Sequence, residues 1–387
     1  MSQIRDRLLI KAAQNHIPIM AAMELLPVCN LKCKMCYVRM PMEEVHRAGG
    51  LKSGAWWLEL ARQMRDAGTL YPLLTGGEPF LHPDFRMILG GMLELGLQVS
   101  INSNGTLIDE ETARWLSEHR PIRINITLYG ASADSYGKLC GNPDAFDRLR
   151  KGLGYLKQYG IPVKFNSSIT PDNVHELEDI LSLAKEYGSP IQVATYMFPP
   201  TRRDSTAVGT NHRLSPQEAA LARVKADFLQ AEPGGFVGQA ECFSRFVPLE
   251  QLDLHRESYP EVPMTCRAGN SSAWISWKGE LTNCGMYNSV ICDLEGRSFG
   301  EAWKEVNETT ARLRYHPACA VCPNRQLCHT CIAMIRSECG GTEGRPEYVC
   351  RMNQETSRLY KQYAEQYYPE LTGRQLPWPR QSEDCGI

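Results

Sequence analysis

The stretch CNLKCKMCY, residues 29–37, spaces three cysteines, Cys29, Cys33 and Cys36, as CxxxCxxC. Three thiolates can hold three irons of a cubane cluster and leave the fourth iron open, whereas a structural zinc site closes its coordination with four ligands. The open iron would be a reaction site. Zinc remains the alternative for the triplet taken alone. The apolar run before it, AMELLPV from Ala22 to Val28, reads as a short buried strand. The cysteines therefore leave its C-terminal end, where parallel α/β proteins place their chemistry.

Outward from this loop, short β-rich runs alternate with amphipathic helical stretches up to about residue 196, which predicts repeated βα units around a parallel sheet. Strands are expected at Met23 to Val28, Tyr71 to Thr75, Gln98 to Asn102, Ile122 to Leu128, Val163 to Ile169 and Ile191 to Tyr196. Helices are expected at Trp56 to Ala67, Asp84 to Leu95, Asp109 to Glu118, Asp144 to Tyr159 and Asn173 to Tyr187. Six such units make a partial (β/α)6 barrel, open at one side. Residues 1–22 read as a helical extension, 23–200 as the barrel and 201–265 as a bridge: a Pro- and Arg-rich start, one helix from Ser215 to Ala231, then a Gly-rich linker. Residues 266–355 read as a small metal-nucleated domain and 356–387 as a C-terminal helix and surface tail.

Composition limits the function classes. A formal net charge of -2 over 387 residues offers no bulk attraction for nucleic acid or anionic membrane. No apolar run approaches the roughly 20 residues of a membrane helix, and the start MSQIRDRLLIKAAQNH lacks the apolar core of a secretion signal. A cytoplasmic setting is expected. Fifteen cysteines would be unusual there as disulfides, so many are expected to ligate metal.

The second strand runs into TGGEP, Thr75 to Pro79, at the same mouth as the cysteine loop. Paired glycines allow close backbone approach to a ligand, and Glu78 adds a carboxylate beside it. By itself Gly-Gly before Pro is a turn signal. Together with CxxxCxxC one βα unit earlier, it resembles the radical S-adenosylmethionine (SAM) superfamily over about residues 20–200. The resemblance implies a 4Fe-4S cluster on Cys29, Cys33 and Cys36 whose open iron chelates SAM, with cleavage to a 5′-deoxyadenosyl radical that abstracts hydrogen from a substrate. It also implies that Gly76, Gly77 and Glu78 hold the methionine amino group, and that Asn102, Ser103 and Asn104 of SINSNGT contact ribose. The alternative for the last set is an Asn-Gly turn. Thr127 of NITLYG matches a position that meets the methionine carboxylate, though a Thr in a strand needs no such role. Met35 stands where the family prefers an aromatic residue. Arg202 and Arg203 could meet an anionic group, or be solvated.

The C-terminal cysteines run Cys266, Cys284, Cys319-x2-Cys322-x5-Cys328-x2-Cys331 and Cys350. Zinc ribbons also use CxxC pairs. The array resembles the SPASM extension of peptide- and protein-modifying maturases, with a gap before Cys331 one residue shorter than usual. That resemblance implies a first auxiliary 4Fe-4S cluster on Cys266, Cys284 and Cys331, and a second on Cys319, Cys322, Cys328 and Cys350, three clusters in all. The first is one ligand short, which Cys242 could supply if the iron is not open. Cys140, Cys292, Cys339 and Cys385 read as free thiols, buried by default. In the hairpin WISWKGELTNCGMYN, residues 274–288, Gly285 stands where sulfatase maturases place a base-like Asp, and Tyr287 reads as packing.

The expected function is radical modification of a ribosomally made precursor peptide, with an electron donor such as a flavodoxin or ferredoxin. Only about 22 residues precede the first strand, too few for a fused leader-binding domain, so either a separate protein binds the leader, or the bridge does, or the substrate is small. A radical SAM dehydrogenase or epimerase acting on a sugar or alcohol is the first rival. The second is a non-catalytic iron-sulfur electron carrier, which would close every site with four ligands.

Overall fold

The computed structural model describes residues 2–254, 258–264, 266–288, 290–342 and 344–372. Cys385 and the expected C-terminal tail lie outside the described residues. Contacts divide the chain into two units, the first comprising 1–167, 183–192 and 263–313, the second 168–182, 193–262 and 314–387. Among the described residues no helix is long and apolar enough to cross a membrane.

The strands are β1 (Met20–Glu24), β2 (Tyr71–Thr75), β3 (Ser100–Ser103), β4 (Arg123–Leu128), β5 (Val163–Ser168), β6 (Ile191–Ala194), β7 (Ser272–Ile275), β8 (Glu280–Thr282) and β9 (Ile291–Asp293). Their order is β6-β5-β4-β3-β2-β1-β7-β8-β9. Strands β1 to β5 pair in parallel in chain order. This is the α/β partial barrel that the alternation predicts. The buried face explains it: Ile124, Ile126 and Leu128 of β4 are inaccessible to solvent, as are Met23 of β1, Leu74 of β2 and Ile101 of β3.

Helix α1 (Ser2–Gln14) precedes the sheet, and between its strands run α2 (Met42–Arg47), α3 (Gly54–Asp66), α4 (Phe85–Glu94), α5 (Glu110–Glu118), α6 (Ala133–Cys140), α7 (Asp144–Gln158) and α8 (Leu177–Glu186). Their limits follow from side chains at the ends. Ser53 caps α3 by accepting from the Trp56 N–H, Asp109 caps α5 through Thr112, and Gly141 ends α6 in the left-handed region at φ 70°. Helix α3 buries Trp57, Leu60, Ala61 and Met64, one face at helical spacing. Helices α2 and α6, of six and eight residues, were not expected from the sequence.

In the first unit two expectations change. Strand β1 starts at Met20 rather than Met23, because Met20 to Met23 pair with β2 on one side and β7 on the other. Leu25 to Val28 continue the ladder only irregularly, through the Leu25 N–H to Thr75 and the Val28 carbonyl to Glu78. The boundary expected at 266 also moves: β7 runs parallel to β1, and β8 and β9 follow antiparallel. The stretch 263–313, with α11 (Phe299–Ala311), therefore belongs with the barrel strands.

In the second unit, α9 (Pro216–Gln230) opens with a reciprocal capping box between Ser215 and Glu218. The expected Gly-rich linker is a helix, α10 (Pro233–Phe243). Proline at its first turn is preorganised for helix, and buried Phe236, Val237, Ala240 and Phe243 outweigh the glycines. Then come α12 (Pro317–Ala320), α13 (Arg325–Cys328), α14 (Ile332–Cys339) and α15 (Glu347–Tyr367). Phe243 stacks on Tyr360 at 4.9 Å between centroids and Phe236 meets the same ring at 5.2 Å. Such pairs add about 0.5–1.5 kcal/mol each beyond area burial.

Candidate iron-sulfur and cofactor site

The loop after β1 delivers Cys29, Cys33 and Cys36, and TGGEP after β2 is stitched to the same segment. The Gly77 N–H donates to the Leu26 carbonyl at 2.7 Å and the Glu78 N–H to the Val28 carbonyl at 2.9 Å. The glycines serve this approach. A Cβ on Gly76 would stand 2.3 Å from the Leu26 oxygen, and one on Gly77 2.2 Å from the Val28 oxygen. Gly76 also has φ 143°, which side chains rarely adopt. The sequence assigns both glycines to a ligand; their first constraint is the backbone that leads into Cys29.

Glu78 is fully buried. Its carboxyl accepts from the Ser103 hydroxyl at 2.9 Å, the Asn104 N–H at 2.8 Å and the Phe80 N–H at 3.4 Å. Burial pushes its pKa up to about 7, against those three donors, which lower it. Ser103 and Asn104 thus face Glu78, while Asn102 accepts from the Asn125 amide at 2.8 Å. Thr127 lies half-buried on β4, opposite Asn166 of β5. Met35 is half-buried in the cysteine loop.

A raised carboxyl pKa has a definite sign in stability. Between the reference value of 4.5 and about 7, the unfolded chain ionises Glu78 while the folded chain keeps it protonated, so stability falls as pH rises through that window. The cost reaches at most about 3 kcal/mol above pH 7, at 1.36 kcal/mol per unit. Glu78→Gln is expected to remove this slope and to raise the melting temperature of the metal-free protein at pH 8 but not at pH 4.5. Equal melting shifts at the two pH values would refute the assignment.

The thiols of the loop are prepared as sulfur acceptors. The Leu31 N–H donates to the Cys29 sulfur at 3.4 Å and the Arg39 N–H to the Cys36 sulfur at 3.3 Å. Burial pushes the Cys29 thiol up to about 12, opposed by the Leu31 N–H. Cys33 is shifted the other way, chiefly by a hydrogen bond with the Cys140 side chain. Cys140 is fully buried at the end of α6, where the Cys140 and Leu139 carbonyls accept from the Lys32 and Lys34 N–H groups of the loop. Sequence reasoning left Cys140 unassigned, and nothing in its local spacing points to this contact.

Two residues after Cys266 and after Cys284, the same arrangement recurs: the Ala268 N–H meets the Cys266 sulfur and the Met286 N–H the Cys284 sulfur, each at 3.4 Å. Both cysteines belong to the first unit; Cys331, expected to share their cluster, belongs to the second. Cys242 lies in α10 and is disulfide-bonded, which leaves it no thiolate to give. A Cβ on Gly285 would stand 2.5 Å from the Trp274 indole, so this ring fills the place of the base-like Asp. Tyr287 is buried, as packing predicts. Arg202 is half-buried and Arg203 exposed in a turn.

Within the second unit, Cys319, Cys322, Cys328 and Cys350 line one cavity together with Arg345. Burial pushes Cys319 and Cys350 up to about 12 and raises Cys322, while the Arg345 charge opposes it in all three. Cys140 and Cys292 are buried and Cys339 half-buried, and none of the three is in a disulfide.

Among the described residues no three His, Cys, Asp or Glu side chains are drawn in to metal-binding distance. The fit to a cluster therefore rests on donor chemistry. Soft thiol sets with backbone N–H groups aimed at sulfur suit iron-sulfur ligation, and buried thiols at high pKa favour metal exchange over free thiolate.

Residues 23–184 match the model of the Radical SAM superfamily. The chain is 26% identical over 330 residues, 81% of its length and 86% of the relative's, to the AdoMet-dependent heme synthase of Nitratidesulfovibrio vulgaris. It is 29% identical over 174 residues, 45% of its length and 38% of the relative's, to the antilisterial bacteriocin subtilosin biosynthesis protein AlbA of Bacillus subtilis. Its fold superposes on Streptococcus suis SuiB bound to the precursor peptide SuiA with a TM-score of 0.64 at 18% identity, covering 89% of this chain and 79% of SuiB. With the three-cysteine loop and the stitched GGEP turn in place on its parallel sheet, residues 23–184 form a radical SAM domain.

Proposed function

We propose that this chain is a radical SAM oxidoreductase or maturase that modifies a ribosomally made precursor peptide. The observation that carries the chemistry is the pairing of the three-cysteine loop with the turn that buries Glu78, joined backbone to backbone after β1 and β2. A 4Fe-4S cluster on Cys29, Cys33 and Cys36 would supply the electron that cleaves SAM. This chain's residues would hold it: the Leu31 and Arg39 amides donate to the Cys29 and Cys36 sulfurs, and Ser103 and Asn104 fix the buried Glu78 carboxyl beneath the same mouth. Cys319, Cys322, Cys328 and Cys350 would hold a second cluster, and Cys266 and Cys284 would give thiolates to a third. The kinship of fold with a peptide-bound enzyme supports the peptide reading.

A second reading has its own support, because heme synthases match more than four-fifths of the chain in sequence. It makes the substrate an iron tetrapyrrole. The two separate in one assay. Reconstituted protein is mixed with Fe-coproporphyrin III and, separately, with short peptides encoded beside its gene. The peptide reading expects SAM cleavage to rise at least about tenfold with a cognate peptide and no shift of the porphyrin absorption band. Turnover of the porphyrin without any peptide response would replace it with the second reading.

A further inference from the structure

Three side chains near Cys29 close a ring of hydrogen bonds. The Asn30 amide donates to the Thr106 hydroxyl at 2.8 Å, that hydroxyl donates to the Asn104 carbonyl oxygen at 2.6 Å, and the Asn104 amide donates to the Asn30 carbonyl oxygen at 2.9 Å. The Thr106 backbone N–H also donates to the Asn104 oxygen, at 2.9 Å. A backbone N–H can only donate, so it fixes which end of the Asn104 amide is oxygen. The remaining Asn104 amide hydrogen then points at the Cys29 sulfur, 3.7 Å from nitrogen to sulfur. Every donor and acceptor of this amide is used. Asn104 and Thr106 are 4% and 7% exposed, so water cannot easily replace either partner.

We propose that the Asn30–Thr106–Asn104 ring is a positioning device that holds one amide N–H on the Cys29 sulfur and thereby sets the reduction potential of the cluster. This inference rests on Cys29 being a cluster ligand, as proposed above. An N–H donated to a ligating sulfur disperses negative charge, and the more negative reduced state gains more from it, so the bond raises the potential. Hydrogen bonds around a closed ring polarise one another in the same sense, so the Thr106 hydroxyl strengthens the Asn104 N–H without touching sulfur. The Leu31 N–H serves the same sulfur from the backbone and cannot be mutated away. Asn104 is the adjustable donor.

The test is a redox titration of the full-length, anaerobically reconstituted protein without SAM, followed by electron paramagnetic resonance. The relevant signal is the one absent from the Cys29/Cys33/Cys36 triple alanine variant. Asn104→Asp keeps the shape and replaces the donor by an acceptor; Thr106→Val keeps the shape and opens the ring; Thr106→Ser keeps the hydroxyl. At the wild-type midpoint, the ratio of reduced to oxidised cluster is expected to fall about tenfold in Asn104→Asp, equivalent to about 59 mV for one electron. It is expected to fall about threefold in Thr106→Val and to stay unchanged in Thr106→Ser. A merely structural role would lower the melting temperature and leave the midpoint alone. Wild-type midpoints in both Thr106→Val and Asn104→Asp would overturn the inference while the ligand assignment stood. Persistence of the signal in the triple variant would overturn the ligand assignment, and the inference with it.

Discussion

Replacing Cys29, Cys33 and Cys36 together by alanine is expected to remove about four of about twelve irons and all cleavage of SAM. The effect is total rather than graded because the three thiolates act as one unit: a cluster that is lost supplies no electron, and nothing else in the site can. The rest of the fold should survive. The loop is tied to its surroundings by backbone bonds that alanine keeps, from Lys32 and Lys34 to the end of α6 and from Gly77 and Glu78 to Leu26 and Val28. Circular dichroism of the metal-free variant should therefore match that of the metal-free wild type, while 5′-deoxyadenosine falls to background. Any 5′-deoxyadenosine above background from the triple variant would remove these cysteines from the mechanism.

What could be read from the sequence was local. CxxxCxxC and TGGEP each carry their signal within a few residues, and the alternation of buried strands with capped helices places both on a parallel sheet. The reasons behind them were not legible, because they are contacts between distant segments. Gly76 and Gly77 are required by the Leu26 and Val28 carbonyls, about fifty residues earlier in the chain. Ser103 and Asn104 read as a ribose-contacting strand end, yet their first partner is the Glu78 carboxyl. Pairing of β7 with β1 joins residues some 250 apart, and no periodicity in 272–275 announces it. Helix α10 fails for a different cause: three glycines in eleven residues argue against helix locally, and only burial against Tyr360 reverses the balance. Of the two auxiliary sets, the four cysteines from 319 to 350 share a cavity, whereas Cys266 and Cys284 stand in one unit and Cys331 in the other.

That division sharpens the prediction for Cys322→Ala. Cys322 starts a loop in which the Asn324 side chain, 2% exposed, accepts from the Val247 N–H at 2.8 Å and donates to the Val247 carbonyl at 2.7 Å. The loop thus holds the irregular segment that follows α10, and Leu327 of α13 is buried. Thiols pushed up by burial gain little as free acids, so a bound metal is what makes their convergence favourable. Without it, the three short helices α12, α13 and α14 have few apolar contacts to keep them folded. Cys322→Ala is expected to lose about four irons and most amide protection from 314 to 350 in hydrogen exchange. Protection of 272–293 should not change, since β7, β8 and β9 pair with one another and with β1 in the first unit. Had the array from 266 to 350 folded as one metal-nucleated domain, both segments would open together; a joint loss of protection would restore that view, and full protection in metal-free wild-type protein would show that metal does not hold either.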